Sequence, residues 1–228
     1  MTVKMYGLIP PKPGMTIDDF HDYYRHPHGT MGRNMSTMRG YVQNHRIDSD
    51  RLKANSGGFE AVAEIWLDNE ADALNFRNEP ILVQYLLEDE PKFVDMPGLR
   101  FFAGHSEVVT SGPALGTGLH PGDEMWSAAT RPLSVKLLQF IETAGNPDWA
   151  QPDDETLGHA LGAFRHTRAH PLRVPGGDEP SFLGLRELWW PTRAYFHRGV
   201  DRAPEALDIL LKRAGASVTM LAQAERFI

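Results

Sequence analysis

VKMYGLI at residues 3–9 is matched by VKLLQFI at residues 135–141. Both are short apolar runs of residue types that suit a pleated, half-buried surface, so each predicts a strand. The correspondence continues along the chain in the same order. Phe59 precedes Glu64-Ile65-Trp66-Leu67, and Phe182 precedes Glu187-Leu188-Trp189-Trp190 with the same internal spacing. A helical stretch follows each run, EADALNFRNEPILVQYLL at 70–87 and APEALDILLKRAG at 203–215. A strand-like segment closes each half, FFAGHSEVV at 101–109 and SVTMLAQAERFI at 217–228. Correspondences in one fixed order make the chain two diverged copies of one unit. The segment between them is dense in Gly and Pro, which resist helix and strand alike. The expected division is a first repeat over residues 1–110, a linker over 111–124 and a second repeat over 125–228.

The first copy gives the order of elements. Strand one covers 3–9, and PPKPGMT turns the chain. Thr16 is the expected N-cap, with Asp18 and Asp19 in the first helical turn, where carboxylates favour the dipole. A helix runs through FHDYYRHPHG. Strand two lies at about 39–47 and strand three at 59–67. A second helix starts near Asn69 and ends before Pro97, and strand four covers 100–109. This is βαββαβ, the ferredoxin-like split βαβ arrangement. Helices cover one face of such a sheet and leave the other apolar. Two sheets satisfy each other by closing, which removes their exposed edges. The fold class expected is α+β, with two tandem ferredoxin-like βαββαβ repeats forming an intrachain pseudo-dimeric α/β barrel.

Composition removes several functions. Net charge is −7 with no Lys/Arg run, which excludes phosphate-driven nucleic-acid binding. Cysteine is absent, so there are no disulfides, thiolate nucleophiles or Cys-ligated metals, and a cytoplasmic location fits. No apolar run approaches the roughly 20 residues a membrane span requires. No Gly-rich phosphate loop, nucleophile elbow or dinucleotide fingerprint is present, so no cofactor is expected. The expected partner is a small aromatic substrate, and a homodimer is left open.

Pro13-Gly14-Met15, Phe20, Tyr24, His28-Gly29 and the strand-two set Tyr41, Val42 and His45 resemble the pattern of EthD-type proteins in the dimeric α/β-barrel superfamily. The resemblance covers residues 3–109. It implies the barrel fold. For activity it implies only a range, because relatives of this barrel include cofactor-free monooxygenases, lactone isomerases, polyketide cyclases, dehydratases and decarboxylases. The second copy departs from the pattern. There His170 stands in the place of His28 and His166 in the place of Tyr24, with no clear second strand.

Ten histidines and no cysteines make imidazole the expected acid/base group. His28 lies one helical turn after Tyr24, on the same face. The plainer alternative is that it caps the helix end beside Gly29. His45 shares a strand face with Tyr41 and Gln43, either lining a ligand cavity or facing solvent. His105 sits on strand four and reads first as a satisfied core histidine. Glu64 and Glu187 read as structural carboxylates paired with Arg across the sheet, and Trp66 and Trp189 as core, with Trp66 also a candidate substrate wall. His166 and His170 have i, i+4 spacing but no third ligand, so no metal site is expected. The candidate catalytic residues are His28, His45 and Tyr24, and the candidate substrate-binding residues are His105, Trp66, Tyr41, His166 and His170. The reaction expected is cofactor-independent lyase or isomerase chemistry on a small aromatic or polycyclic substrate. The alternatives are cofactor-free oxygenation and a non-catalytic accessory protein of a degradation pathway.

Overall fold

The computed structural model describes residues 2–53, 55–112, 129–172 and 179–228. The first copy contains β1 (Thr2–Ile9), α1 (Ile17–Tyr23), β2 (Gly40–Arg46), β3 (Ala61–Leu67), α2 (Glu70–Asn75) and β4 (Arg100–Ser111). The second contains β5 (Leu133–Glu142), α3 (Asp154–Ala160), β6 (Arg165–Pro171), β7 (Phe182–Trp190), α4 (Arg193–Arg202), α5 (Pro204–Ala214) and β8 (Ser217–Arg226). β4 runs one residue past the expected repeat boundary, and most of the Gly/Pro-rich linker lies outside the described residues. Among the described residues, no helix is long and apolar enough to cross a membrane.

Thr16 caps α1 as expected: its hydroxyl accepts from the Asp19 backbone N–H at 3.1 Å, and Asp18 and Asp19 occupy the first turn. The chain then continues through a π-helical turn, Tyr24–His28, containing a cis His26–Pro27 peptide.

Two expectations need correction. The second helix of copy one is not continuous. α2 stops at Asn75, and short helical turns at Phe76–Asn78, Leu82–Leu86, Leu87–Asp89 and Glu90–Lys92 follow. Pro80 and Pro91 cannot donate a helical hydrogen bond, and the Glu79 carboxylate restarts the path by accepting from the Ile81 and Leu82 amides at 2.7 and 3.1 Å. The second correction concerns the His166 region, which is a strand. β6 pairs with β4 on one side and β7 on the other. The helix of copy two lies earlier, at α3, and ends before Gly162, whose φ of +67° suits glycine. His166 and His170 therefore correspond to strand-two positions and not to Tyr24 and His28.

The strand order is β1-β3-β2-β8-β5-β7-β6-β4, closed. Each copy contributes a four-stranded sheet, and the antiparallel pairs β2·β8 and β4·β6 join the copies. Side chains alternate between the two faces. Tyr6, Leu8, Val62 and Phe102 from copy one meet Leu138, Phe140 and Met220 from copy two in one buried cluster, the barrel interior. Val3, Met5 and Ile65 face outward, where they pack with Phe76, Leu82 and Leu86 beneath the helical turns.

The repeated Lys and Glu meet inside the barrel. Lys4 Nζ lies 2.7 Å from Glu64 and 3.0 Å from Glu187, and Lys136 pairs with Glu64 and lies 3.9 Å from Glu187. Trp66 Nε1 donates to Glu64 at 2.8 Å, and Tyr6 and Thr167 hydroxyls donate to Glu187 at 3.2 and 2.7 Å. The carboxylates are structural, but their partners are lysines and not the expected arginines. The second residue of VKM and of VKL points inward, and its compact ammonium fits between the two glutamates.

Candidate functional site

In the first copy, the outward face of the sheet does not close against its helical turns. Between them lies a cavity of about 620 Å³, lined mainly by apolar groups including Met5, Met35, Ile65, Leu86, Phe93 and Phe101. Its floor contains the cross-strand pair Gly7↔Ala63. The corresponding pair in copy two is Gln139↔Arg186. There the buried Arg186 guanidinium occupies the space, donating to Gln139 Oε1 and the Trp149 carbonyl at 2.6 Å each and reaching Asp154 at 3.2 Å. Leu137, Leu188 and Trp190 complete that packing. Small floor residues thus leave room in one copy, and larger ones fill it in the other.

His28 is on the wall of this cavity. The π-helical turn buries its ring against Phe93 at 4.8 Å and Tyr24 at 5.7 Å between centroids. Nδ1 lies 3.0 Å from Asp89 Oδ2. A carboxylate only accepts, so Nδ1 carries a proton, and in the neutral imidazole Nε2 keeps its lone pair. Nε2 has no hydrogen-bond partner among the described residues. Asp89 is itself fixed: Tyr23 Oη donates to it at 2.7 Å and Lys92 Nζ at 3.1 Å. Burial works against its charge, but the hydrogen bonds from His28, Tyr23 and Lys92 hold its carboxyl down at about 2.

The next residue behaves oppositely. Glu90 lines the cavity, and burial pushes its carboxyl above the usual range, with the nearby Arg77 guanidinium acting the other way. Two adjacent carboxyls pushed in opposite directions, one engaged with an imidazole and one facing an apolar cavity, form an arrangement suited to proton transfer.

The other sequence candidates divide. Tyr41 lines the cavity, and its hydroxyl accepts from Gln43 Nε2 at 2.9 Å, while burial pushes it up to about 12. Tyr24 is fully buried behind His28, and burial holds its hydroxyl well above the usual range. The shared face of Tyr41, Gln43 and His45 turns toward the helices and not to solvent. His45, however, lies behind Tyr24 and does not line the cavity: its Nε2 meets Gln43 Oε1 at 3.1 Å and its Nδ1 meets His21 Nδ1 at 2.8 Å. Burial, then the charges of Arg25 and His21, lower it to about 2. Such an imidazole stays neutral.

His105 is half-exposed and holds Glu70 at 2.7 Å, so it is not a core histidine. Trp66 is inside the barrel, with Lys4 Nζ 5.0 Å from its ring centre. His166 is buried and donates from Nδ1 to the Asp154 carbonyl at 3.1 Å. His170 is exposed, 3.6 Å from Glu107. On a strand, i, i+4 spacing puts two residues about 13 Å apart, so this pair cannot share one ion. Among the described residues, no group of three or more potential ligands could hold a metal.

Sequence reasoning missed Asp89, Glu90, Arg77 and the Gly7–Ala63 floor. The acidic run LLEDEPKF was visible, but nothing in spacing says that a residue 61 positions from His28 touches it.

Residues 12–97, most of the cavity-bearing copy, match the EthD domain model. No curated protein sequence matches the chain. Among solved structures, an anthrone oxidase-like protein shares 14% identity over 99% of this chain and 93% of its own, with a TM-score of 0.56. A chlorite dismutase from Candidatus Nitrospira defluvii, solved with imidazole, shares 10% identity over 98% of this chain and 91% of its own, with a TM-score of 0.49. The first of these likenesses supports the barrel fold.

Proposed function

We propose that the chain is a cofactor-independent lyase or isomerase that acts on a small aromatic or polycyclic carbonyl compound through proton transfer. The observation that carries this reading is the His28–Asp89 pair on the wall of an apolar cavity. The cavity volume of about 620 Å³ falls in the range of small-molecule sites. His28 Nε2 abstracts a proton next to the substrate carbonyl. Asp89 fixes the tautomer and supports the imidazolium that forms. Glu90, held toward its neutral form, returns a proton to the developing enolate or to a leaving oxygen. Tyr41 forms part of the wall, and Tyr24 holds the His28 ring in place.

A second reading shares the first step. The likeness to an anthrone oxidase-like protein favours attack of the same carbanion on dioxygen, which is cofactor-free oxidation.

Anthrone serves as a probe for both, because it is a tricyclic ketone with an acidic methylene. Under nitrogen in heavy water, proton transfer appears as deuterium entering that methylene faster than in buffer. In air, oxidation appears as enzyme-dependent oxygen uptake. Loss of both signals in His28→Ala supports the base assignment, whereas unchanged exchange in that variant would falsify it. Exchange without oxygen uptake favours the lyase or isomerase reading.

A further inference from the structure

Among the described residues, Arg77 is the only Lys or Arg that lines the cavity. It is exposed, and it sits on the short turn Phe76–Asn78, whose Phe76 is buried in the outward-facing core. That anchoring fixes where the turn lies. The Arg77 guanidinium carbon lies 5.3 Å from the centre of the Phe101 ring, another lining residue. A guanidinium resting against an aromatic ring keeps its N–H edge free for a planar anion. Among the described residues, no carboxylate forms an ion pair with it. The neighbouring Glu79 carboxylate is engaged with the backbone amides of Ser36, Ile81 and Leu82. Glu90, the acid whose charge it feels, is biased by burial toward the neutral form.

An apolar cavity with a single unengaged guanidinium at its edge is complementary to a molecule with a flat apolar body and one planar anionic group. We infer that Arg77 is a specificity residue and that the substrate class is an aromatic or polycyclic carboxylic acid whose carboxylate pairs with it. The inference rests on the reading that this cavity is the substrate site. It goes further by selecting acids over neutral ketones, amides and esters of the same shape. The carboxylate would accept two parallel N–H bonds from the guanidinium, while the ring system occupies the space above Gly7 and Ala63.

The test uses 2-naphthoic acid and 2-naphthamide, which share shape and differ in charge near neutral pH. Calorimetric binding is measured for the wild type, Arg77→Gln and His28→Ala at low and high salt. The wild type is expected to bind the acid about tenfold more tightly than the amide at low salt, the value of one charge-assisted contact. High salt should narrow the gap, because the guanidinium is exposed. Arg77→Gln should bring the two affinities together without weakening the amide. His28→Ala should keep the preference, so a failed catalytic assignment stays distinguishable from a failed specificity assignment. Equal binding of acid and amide by the wild type overturns the inference. So does a preference that survives in Arg77→Gln, or an absence of binding by both probes at millimolar concentration.

Discussion

Lys4 of the first copy reaches across the barrel to Glu187 of the second, Nζ to Oε2 at 3.0 Å, with both side chains almost completely buried. With Lys136 and Glu64 it forms a crossed set in which each copy's lysine contacts both glutamates. Burial opposes the charge on Glu64, but Lys136 and Lys4 hold its carboxyl well below the usual range. The set links the two sheets where their interiors meet.

Removing one member leaves an uncompensated buried charge. Lys4→Met is expected to cost about 3–5 kcal/mol. The double variant Lys4→Met/Glu187→Leu restores charge balance and should cost less than the sum of its two single changes. Urea denaturation of the four proteins measures this, and strict additivity would show that the two residues are not coupled.

The buried histidines predict acid sensitivity. Burial lowers His45 to about 2 and His166 to about 3, from an ordinary 6.5. Below that ordinary value the unfolded chain takes up protons that the native chain refuses, so stability falls as pH falls. The loss continues until pH reaches the folded values, at about 1.4 kcal/mol per pH unit for each histidine. His166→Asn should flatten the slope by about one histidine's share. Urea midpoints taken from neutral pH down to about pH 4 give the comparison, and identical slopes for wild type and variant would refute the assignment.

The His28–Asp89 pair predicts a kinetic signature. In Asp89→Asn an amide replaces the acceptor-only carboxylate and no longer fixes the Nδ1–H tautomer. The rate of deuterium entry into anthrone should fall about a hundredfold or more, with a smaller change in KM. Glu90→Gln should lower the rate and remove a pH dependence set above the usual carboxylate range. A KM change alone in Asp89→Asn would indicate a role in binding instead.

Filling the cavity floor should separate binding from folding. Ala63→Leu places three more carbons into the open space above Gly7. Overpacking a full core costs about 1–3 kcal/mol, but a side chain that enters a cavity should cost less than that. Binding of 2-naphthoic acid should fall at least about tenfold while the thermal midpoint stays close to wild type. Undiminished binding would place the ligand elsewhere.

The duplication, the βαββαβ order of the first copy and the barrel were legible in the sequence. These follow from local signals that repeat: strand runs of suitable residues, the Thr16 cap, Gly/Pro turns and the unpartnered apolar face that each copy must cover. It also marked His28 and the paired glutamates as special positions. It did not separate the helix-one histidine from strand histidines in copy two, because RHTRAHP carries no helix cap and its strand character comes from pairing with β4 and β7. Nor could it find Asp89, Glu90 or Arg77, since Pro80 and Pro91 break the second helix into turns whose direction is set by packing. Whether the second copy also keeps this cavity was decided only in three dimensions. Gly7 and Ala63 are unremarkable residues until the register of β1 and β3 sets them side by side, and Arg186 is an ordinary arginine until Asp154, Gln139 and the Trp149 carbonyl enclose it. Local sequence determines the strands, but the space between a sheet and its helices depends on long-range contacts that no spacing along the chain encodes.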